Sequence, residues 1–230
     1  MVSNYTLMLR SMELLFLDYD QDKIIRKFNL RSDDEHIYIN LVGREYFIER
    51  KNGRAGYFVN AINGRGATNG FPPGNEPDES GIVWAGFNDG ATIYDYLCKS
   101  ADFPYTSGEY ASMNSFSTAV SSPGDGKHFW NKYAKIFDAD TERLKKTFES
   151  MGAVEMKSGD VSYAVELFDN FPVWIRFWCS DDEFPCDLQL MWDKNTLKFI
   201  DFETMHYAGF HLLDRVLEEF NRIGGKHVSE

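Results

Sequence analysis

Residues 161–193 read VSYAVELFDNFPVWIRFWCSDDEFPCDLQLMWD, and they carry the clearest β-strand pattern in the chain. Apolar side chains recur at every second position, which is the period of a strand that buries one of its faces. The pattern predicts three strands, VSYAVELF, VWIRFWC and CDLQLMW. We expect a turn at Asn170-Phe171-Pro172 between the first two strands and a loop from Ser180 to Pro185 between the last two.

The pairing of the second and third strands follows from their apolar faces. A six-residue loop from Ser180 to Pro185 would join them as neighbours in an antiparallel sheet. A slip of one residue would turn the apolar set of one strand toward solvent, so the register that keeps one continuous apolar face is favoured. In that register three pairs lie opposite each other: Cys179 with Cys186, Phe177 with Leu188, and Ile175 with Leu190.

Further strands and helices are predicted on both sides of this region. Residues 36–50 alternate as in a β-hairpin with its turn at Gly43-Arg44, and a short third strand follows Asn52-Gly53. Ser3 can cap a first helix, and a C-terminal helix is expected from about Asp201 to Ile223. The apolar positions of the first helix recur at roughly helical spacing: Leu7, Leu14, Leu15 and Leu17.

These elements predict an α+β protein in which a mostly antiparallel sheet packs against the N- and C-terminal helices. Residues 1–230 are expected to form a single domain with a Gly/Pro-rich loop insertion at about 63–90. That stretch holds seven of the 18 glycines and three of the seven prolines, a composition typical of a loop.

The charge of the chain excludes some classes of partner. There are 24 Lys and Arg residues against 36 Asp and Glu residues, a net charge of −12. Proteins that bind nucleic acid or anionic membrane surfaces need a basic face, so neither partner is expected. No run approaches the ~20 apolar residues of a membrane span, and three cysteines form no CxxC motif. The cytoplasm is the expected location.

The negative charge is concentrated near the predicted strands. Residues 160–203 hold ten acidic and three basic residues, so their net charge is 3 − 10 = −7. The sequence therefore predicts a cation or a cationic partner for this region.

Two aromatic residues and one cation share a face of the second strand. Trp174, Arg176 and Trp178 lie at period two and could present a cation–π ladder to a ligand. Alternatively, the strand could be covered on both faces, with Arg176 paired to Glu166 or Asp187 for structural reasons.

The loop CSDDEFPC, residues 179–186, holds the densest group of reactive side chains. Its carboxylates, Asp181, Asp182 and Glu183, could contact a partner or simply cap the loop. No cofactor or metal is predicted. A metal ion, if one bound, would have candidate ligands in this loop: Cys179, Asp181, Glu183 and Cys186.

Residues 159–220 resemble the C-terminal half of the bacterial and archaeal domain of unknown function 3786 family. The residues that carry the resemblance run along this segment: Gly159-Asp160, Phe171-Pro172, Trp178, Asp182-Glu183-Phe184-Pro185, Asp193 and Leu212-Leu213. The hairpin around Gly43 and the segment from Ile93 to Leu97 fit more weakly, so the resemblance is expected over most of the chain apart from 63–90. The family is uncharacterised, so the resemblance implies no mechanism.

The absence of a complete catalytic motif beside one concentrated polar loop favours a non-catalytic function. We predict a binding or accessory module that engages a protein or a small ligand through the 181–183 loop and the Trp174, Arg176 and Trp178 face. The alternative is a metal-assisted hydrolase or lyase that uses the loop carboxylates with His206 or His211. The sequence leaves the choice between a binding module and an enzyme open.

Overall fold

The computed structural model describes residues 3–59, 77–116 and 129–225. These ranges contain six α-helices and two antiparallel sheets of four and five strands. The helices are α1 (Asn4–Phe16), α2 (Gln21–Phe28), α3 (Phe87–Lys99), α4 (Asn131–Asp138), α5 (Thr141–Ser150) and α6 (Phe202–Ile223). The strands are β1 (His36–Leu41), β2 (Arg44–Glu49), β3 (Ala55–Phe58), β4 (Ile82–Trp84), β5 (Tyr110–Ser112), β6 (Val154–Glu155), β7 (Val161–Phe168), β8 (Phe171–Trp178) and β9 (Asp187–Asp193).

The predicted α+β class is confirmed, although the strands form two sheets where one was expected. The chain divides into two compact units, the first made of Met1–Pro104, Lys198–His211 and His227–Glu230 and the second of Tyr105–Leu197 and Leu212–Lys226. Helix α6 contributes its first half to one unit and its second half to the other. That the chain folds as a single domain stays a prediction. None of the described helices is long and apolar enough to cross a membrane.

The first unit is built on the sheet β1-β2-β3-β4. The hairpin predicted for residues 36–50 is present, but its two-residue turn is Val42-Gly43, one position before the expected one. Both turn residues have positive φ, 48° and 67°. Such a turn matches the twist of the paired strands, and glycine adopts it without strain. The short strand expected after Asn52-Gly53 is β3.

The predicted loop at 63–90 is corrected in its second part. Residues 60–76 lie outside the described residues, whereas residues 77–90 contain β4 and the first turn of α3. The glycine-rich composition predicted a loop where part of a helix forms, because Gly90 is a packing position of α3 and not a loop residue. A Cβ on Gly90 would lie 2.4 Å from Leu9 Cδ1, so the missing side chain lets α1 approach α3 closely.

Helix α1 begins after Ser3, whose hydroxyl accepts a hydrogen bond from the Thr6 N–H as a cap. Two of the leucines at helical spacing, Leu7 and Leu14, are 56% and 50% exposed. The helix instead buries Glu13, which pairs with Arg10 at 2.7 Å, and Phe16. Helical spacing thus predicted the helix correctly but did not specify its buried face.

The second unit is built on the sheet β5-β9-β8-β7-β6. The predicted register of β8 and β9 is confirmed for two pairs, Phe177 with Leu188 and Ile175 with Leu190. The pairing of the two strands ends at Trp178 and Asp187. Cys179 and Cys186, which were expected to lie opposite each other, come one position beyond this last pair and are not part of the strand pairing.

Strand β8 starts earlier than expected. Phe171 and Pro172 are already inside the strand, and the turn before it is Asp169-Asn170. Asn170 adopts a φ of 62°, a conformation that asparagine tolerates better than most residues. The sequence predicts a turn that includes Phe171 and Pro172, whereas the observed turn ends just before Phe171.

One face of the second sheet carries the apolar core of this unit. Val173, Ile175 and Phe177 of β8 are fully buried. Helices α4 and α5 contact β9 and β7, and the Phe148 ring of α5 stacks on Tyr163 of β7 with centroids 5.0 Å apart. Because side chains alternate along a strand, the residues between the buried ones lie on the opposite face.

Candidate ligand-binding face

Trp174, Arg176 and Trp178 alternate with the buried residues of β8 and share the face away from its apolar core. We call these three residues the ladder. Each is half-buried. The guanidinium carbon of Arg176 lies 5.1 Å from the ring centroid of Trp174 and 4.7 Å from that of Trp178. One cation is therefore flanked by two indoles at cation–π distance.

Arg176 does not form the ion pair that the structural alternative required. The Glu166 carboxylate accepts a hydrogen bond from the Phe171 N–H at 3.0 Å, and the Asp187 carboxylate accepts one from Gln189 Nε2 at 2.7 Å. Among the described residues Arg176 has no ion-pair partner, and its buried Nε has no hydrogen-bond acceptor. The cation is thus stabilised by the indoles and not by a carboxylate of the sheet.

Trp174 is held in place by its neighbours. Its Nε1 donates a hydrogen bond to Ser162 Oγ at 2.8 Å. The ring of Tyr110 meets it edge-on, with centroids 5.6 Å apart and an interplanar angle of 76°. An indole fixed at its edge and at one ring contact presents a defined surface, as a preorganised binding group does.

The loop after β8, which we call the tip loop (residues 179–186), is ordered by its own first carboxylate. Asp181 accepts hydrogen bonds from the N–H groups of Glu183 and Phe184 at 2.8 and 2.7 Å. These two backbone donors hold the pKa of Asp181 below its usual value. Asp181 therefore caps the loop, which makes it a structural residue at this place.

The other two acidic residues of the tip loop are free for contact. Asp182 and Glu183 are exposed, and neither carboxylate has a hydrogen bond or ion pair within the described part of the chain. Phe184 beside them is 65% exposed. The tip loop therefore offers two carboxylates and one aromatic ring to solvent.

The base of the tip loop is tied to the sheet by two aspartates that precede it in the chain. Asp160 accepts a hydrogen bond from the Cys179 N–H at 2.8 Å. Asp138 accepts two bonds from Ser180, at 2.9 Å from N–H and 2.6 Å from the hydroxyl. Gly159 has a φ of 84°, and a Cβ there would lie 2.8 Å from the Phe177 carbonyl oxygen. The Gly159-Asp160 pair is thus a structural anchor.

Cys179 and Cys186 are the two candidate thiol ligands of the tip loop. Burial raises the pKa of the Cys179 and Cys186 thiols, and the carboxylates of Asp160 and Asp138 respectively add to this rise. A raised pKa disfavours the thiolate, which is the form that binds metal. The residues the structure describes contain no group of three or more His, Cys, Asp or Glu side chains that could hold a metal ion.

The two histidines of the enzymatic alternative belong to the first unit, whereas the tip loop belongs to the second. The ring of His206 packs edge-on against Phe202, with centroids 5.5 Å apart. His211 is buried, with its ring 6.1 Å from that of Tyr46. Both histidines therefore have aromatic neighbours within their own unit.

Sequence reasoning missed two buried carboxylates. Asp193, at the end of β9, accepts hydrogen bonds from the N–H groups of Ser107, Gly108 and Asn195 at 2.7 to 2.9 Å. Asp89, in the first unit, accepts one from the Tyr46 hydroxyl at 3.0 Å. Asp193 was named only for its part in the family resemblance and its place at the strand end, and Asp89 lay inside the predicted loop.

Burial raises the pKa of Asp89 to about 6, although the Tyr46 hydroxyl, two backbone N–H groups and Arg44 favour its charged form. A carboxyl group that titrates near neutral pH is a common property of functional sites. The Asp89 carboxyl group is enclosed in the core at the start of α3, so we expect its protonation to change the stability of the fold.

Comparison with known proteins gives one match. The family described as Domain of unknown function (DUF3786) matches residues 71–215, which is 145 of the 230 residues. The match begins inside the stretch that the resemblance was expected to skip, and it leaves out the hairpin of residues 36–50. No curated protein and no solved structure matches. The matched range includes the ladder and the whole tip loop.

Proposed function

Because the chain belongs to the DUF3786 family of domains of unknown function, we propose its function from its surface chemistry: it is a non-catalytic binding module. The ladder and the tip loop form the binding surface. The partner is a protein or a small ligand that carries an apolar or aromatic group.

The unpaired, indole-flanked cation of the ladder carries this proposal. An arginine between two half-buried tryptophans, without a carboxylate partner, contributes little to the stability of a strand. Its presence in β8 therefore favours a role in binding. Tryptophan and arginine are the residues most enriched among those that dominate binding energies. The bonds of Trp174 to Ser162 and its contact with Tyr110 support a preorganised surface.

The tip loop supports a second contact. The exposed carboxylates of Asp182 and Glu183, with no partner in the described ranges, would attract a cationic group, and the exposed ring of Phe184 adds apolar area. We propose that the loop contacts a cationic part of the partner at its rim. Its Asp181 cap would hold these side chains in position.

The alternative of a metal-assisted hydrolase or lyase has less support. It requires carboxylates and a histidine gathered around a metal, and the described residues hold no such group. The three cysteines are free thiols, which supports our proposal that the protein works in the reducing cytoplasm.

The binding surface can be tested by nuclear magnetic resonance of the tryptophan indole N–H groups. A library of small compounds and short peptides is added to the labelled protein. We expect compounds that move the Trp174 and Trp178 signals without moving that of Trp192, which is fully buried on the opposite face of the same sheet. A library that moves none of the three, or moves Trp192 equally, would contradict the proposal.

Substitution separates binding from folding. Asp182→Asn with Glu183→Gln removes the free carboxylates of the tip loop and should weaken cationic hits only. Asp34→Asn with Glu35→Gln is the matched surface control, since it makes the same change at an exposed pair of carboxylates in the first unit. Equal binding by all variants would exclude the tip loop from the surface.

A further inference from the structure

We propose that the Arg176 guanidinium is a binding site for a carboxylate, and that the ligand of the ladder is a monoanion whose carboxylate is attached to a planar apolar group. This inference rests on the proposed function and names the ligand class of the same surface. It concerns the centre of the ladder, whereas the cationic contact proposed above concerns the tip loop.

The first argument is the unused hydrogen-bonding capacity of Arg176. A guanidinium carries five N–H donors and always bears its charge. The contacts with Trp174 and Trp178, at 5.1 and 4.7 Å, are cation–π contacts that use the charge and leave the N–H donors free. The buried Nε has no acceptor among the described residues. Because the Nε is closed to solvent, the terminal Nη groups, which have no hydrogen bond among the described residues, are the donors that a ligand's acceptor would reach.

The second argument is the chemistry of the neighbours on both sides. In the sheet, Arg176 lies opposite Ser162 of β7 and Gln189 of β9. The Ser162 hydroxyl already accepts a hydrogen bond from Trp174 Nε1, and the Gln189 amide already donates one to Asp187. Neither of these directly opposite neighbours carries a negative charge, and Asp187, which lies opposite Trp178 on the same face, accepts its hydrogen bond from Gln189.

The third argument is the match between the ladder and one ligand shape. Guanidinium and carboxylate groups form two parallel charge-assisted hydrogen bonds in one plane, which gives this pair both strength and geometric specificity. The indoles on both sides offer apolar area to a planar group. A cationic group would instead meet the charge of Arg176 and be repelled.

The acidic surroundings limit the negative charge that a ligand of the ladder can carry. Residues 160–203 carry a net charge of 3 − 10 = −7. This surface repels a monoanion less than a multiply charged anion. One carboxylate is therefore expected in place of a di- or triphosphate.

The test compares three compounds of the same size and different charge: benzoate, neutral benzamide and cationic benzamidine. Each is titrated into the protein at constant ionic strength, with sodium chloride as compensation, and the indole N–H signals of Trp174, Trp178 and Trp192 are followed. We expect benzoate to move the two ladder signals with an affinity about tenfold or more above that of benzamide, as a charge-assisted bidentate pair implies. Trp192 should not respond.

Arg176→Gln and Arg222→Gln are compared as matched charge removals. The first should abolish the preference for benzoate over benzamide, and the second should preserve it. Arg176→Lys keeps the charge without the paired donors and should retain only part of the preference. The comparison of the three compounds on the unmodified protein stands even if a variant does not fold.

The outcomes separate this inference from the proposed function. If benzoate and benzamide move the ladder signals equally, or if benzamidine binds best, the carboxylate inference is overturned while the ladder remains a binding surface. If none of the three moves the signals, the inference is overturned as well. The proposed function itself is overturned only if the library of compounds and peptides is also silent.

Discussion

Replacement of Asp89 by asparagine should stabilise the protein at neutral pH and remove part of its pH dependence. The carboxyl group is buried at the start of α3 and accepts a hydrogen bond from the Tyr46 hydroxyl at 3.0 Å. Asparagine has nearly the same shape and can still accept this bond through its amide oxygen. The substitution therefore removes the buried charge and keeps the contact.

The size of the effect follows from the pKa of Asp89, which burial raises from the ordinary value of 3.8 to about 6. Because the folded pKa lies above the unfolded one, the folded state binds the proton more tightly. Stability is therefore lost as the pH rises from about 4 through 6 and is constant above that range. The full loss is about 3 kcal/mol, from the difference in pKa at 1.36 kcal/mol per unit.

The assay is urea denaturation of the Asp89→Asn variant and the unmodified protein between pH 4 and pH 8. The two should have similar stability near pH 4, and the variant should be more stable by about 3 kcal/mol at pH 7.5. Asp182→Asn makes the same chemical change at an exposed position and should leave stability unchanged. A variant that is less stable at pH 7.5, or whose difference from the unmodified protein does not vary with pH, would refute the assignment of a buried, weakly acidic carboxyl group.

Three further substitutions test the fold. Gly159→Ala should destabilise the second unit by about 1–3 kcal/mol, because the added Cβ meets a carbonyl oxygen at 2.8 Å in a backbone of positive φ, and thermal melting measures the loss. Asp181→Ala removes the acceptor of two backbone N–H groups and should speed amide hydrogen exchange in the tip loop, whereas Asp182→Ala should not. Leu14→Gln should be nearly neutral in chemical denaturation, while Phe16→Ala should cost about 3–5 kcal/mol, because only the second side chain is buried; similar losses would contradict the orientation of α1.

The strands of the second sheet could be predicted from the sequence because their evidence is local. Side chains of a strand alternate between two faces, so Ile175 and Phe177 on one face and Leu188 and Leu190 on the other strand specify both the strands and their register. The alternation also placed the three ladder residues together on one face. What a local pattern could not predict was which contacts that face would make, and the expected partner of Arg176 proved to be bonded elsewhere.

The first unit shows the opposite situation. The helical spacing of the leucines in α1 predicts a helix but does not specify which side meets the rest of the chain. Close approach at Gly90 brings a different side of α1 against α3 and leaves Leu14 exposed. The same glycine, counted among the residues of a loop, concealed the first turn of α3, which buries Asp89.

The sequence by itself therefore determined the α+β class, the strands of residues 161–193 and the face that the ladder occupies, because each depends on the alternation of neighbouring side chains. The tertiary structure decided the buried face of α1, the environment of Asp89 and the lack of an ion pair at Arg176 within the described ranges. Those properties depend on residues distant in sequence that packing brings together or keeps apart, and burial then determines whether a charge is paired, protonated or left for a ligand.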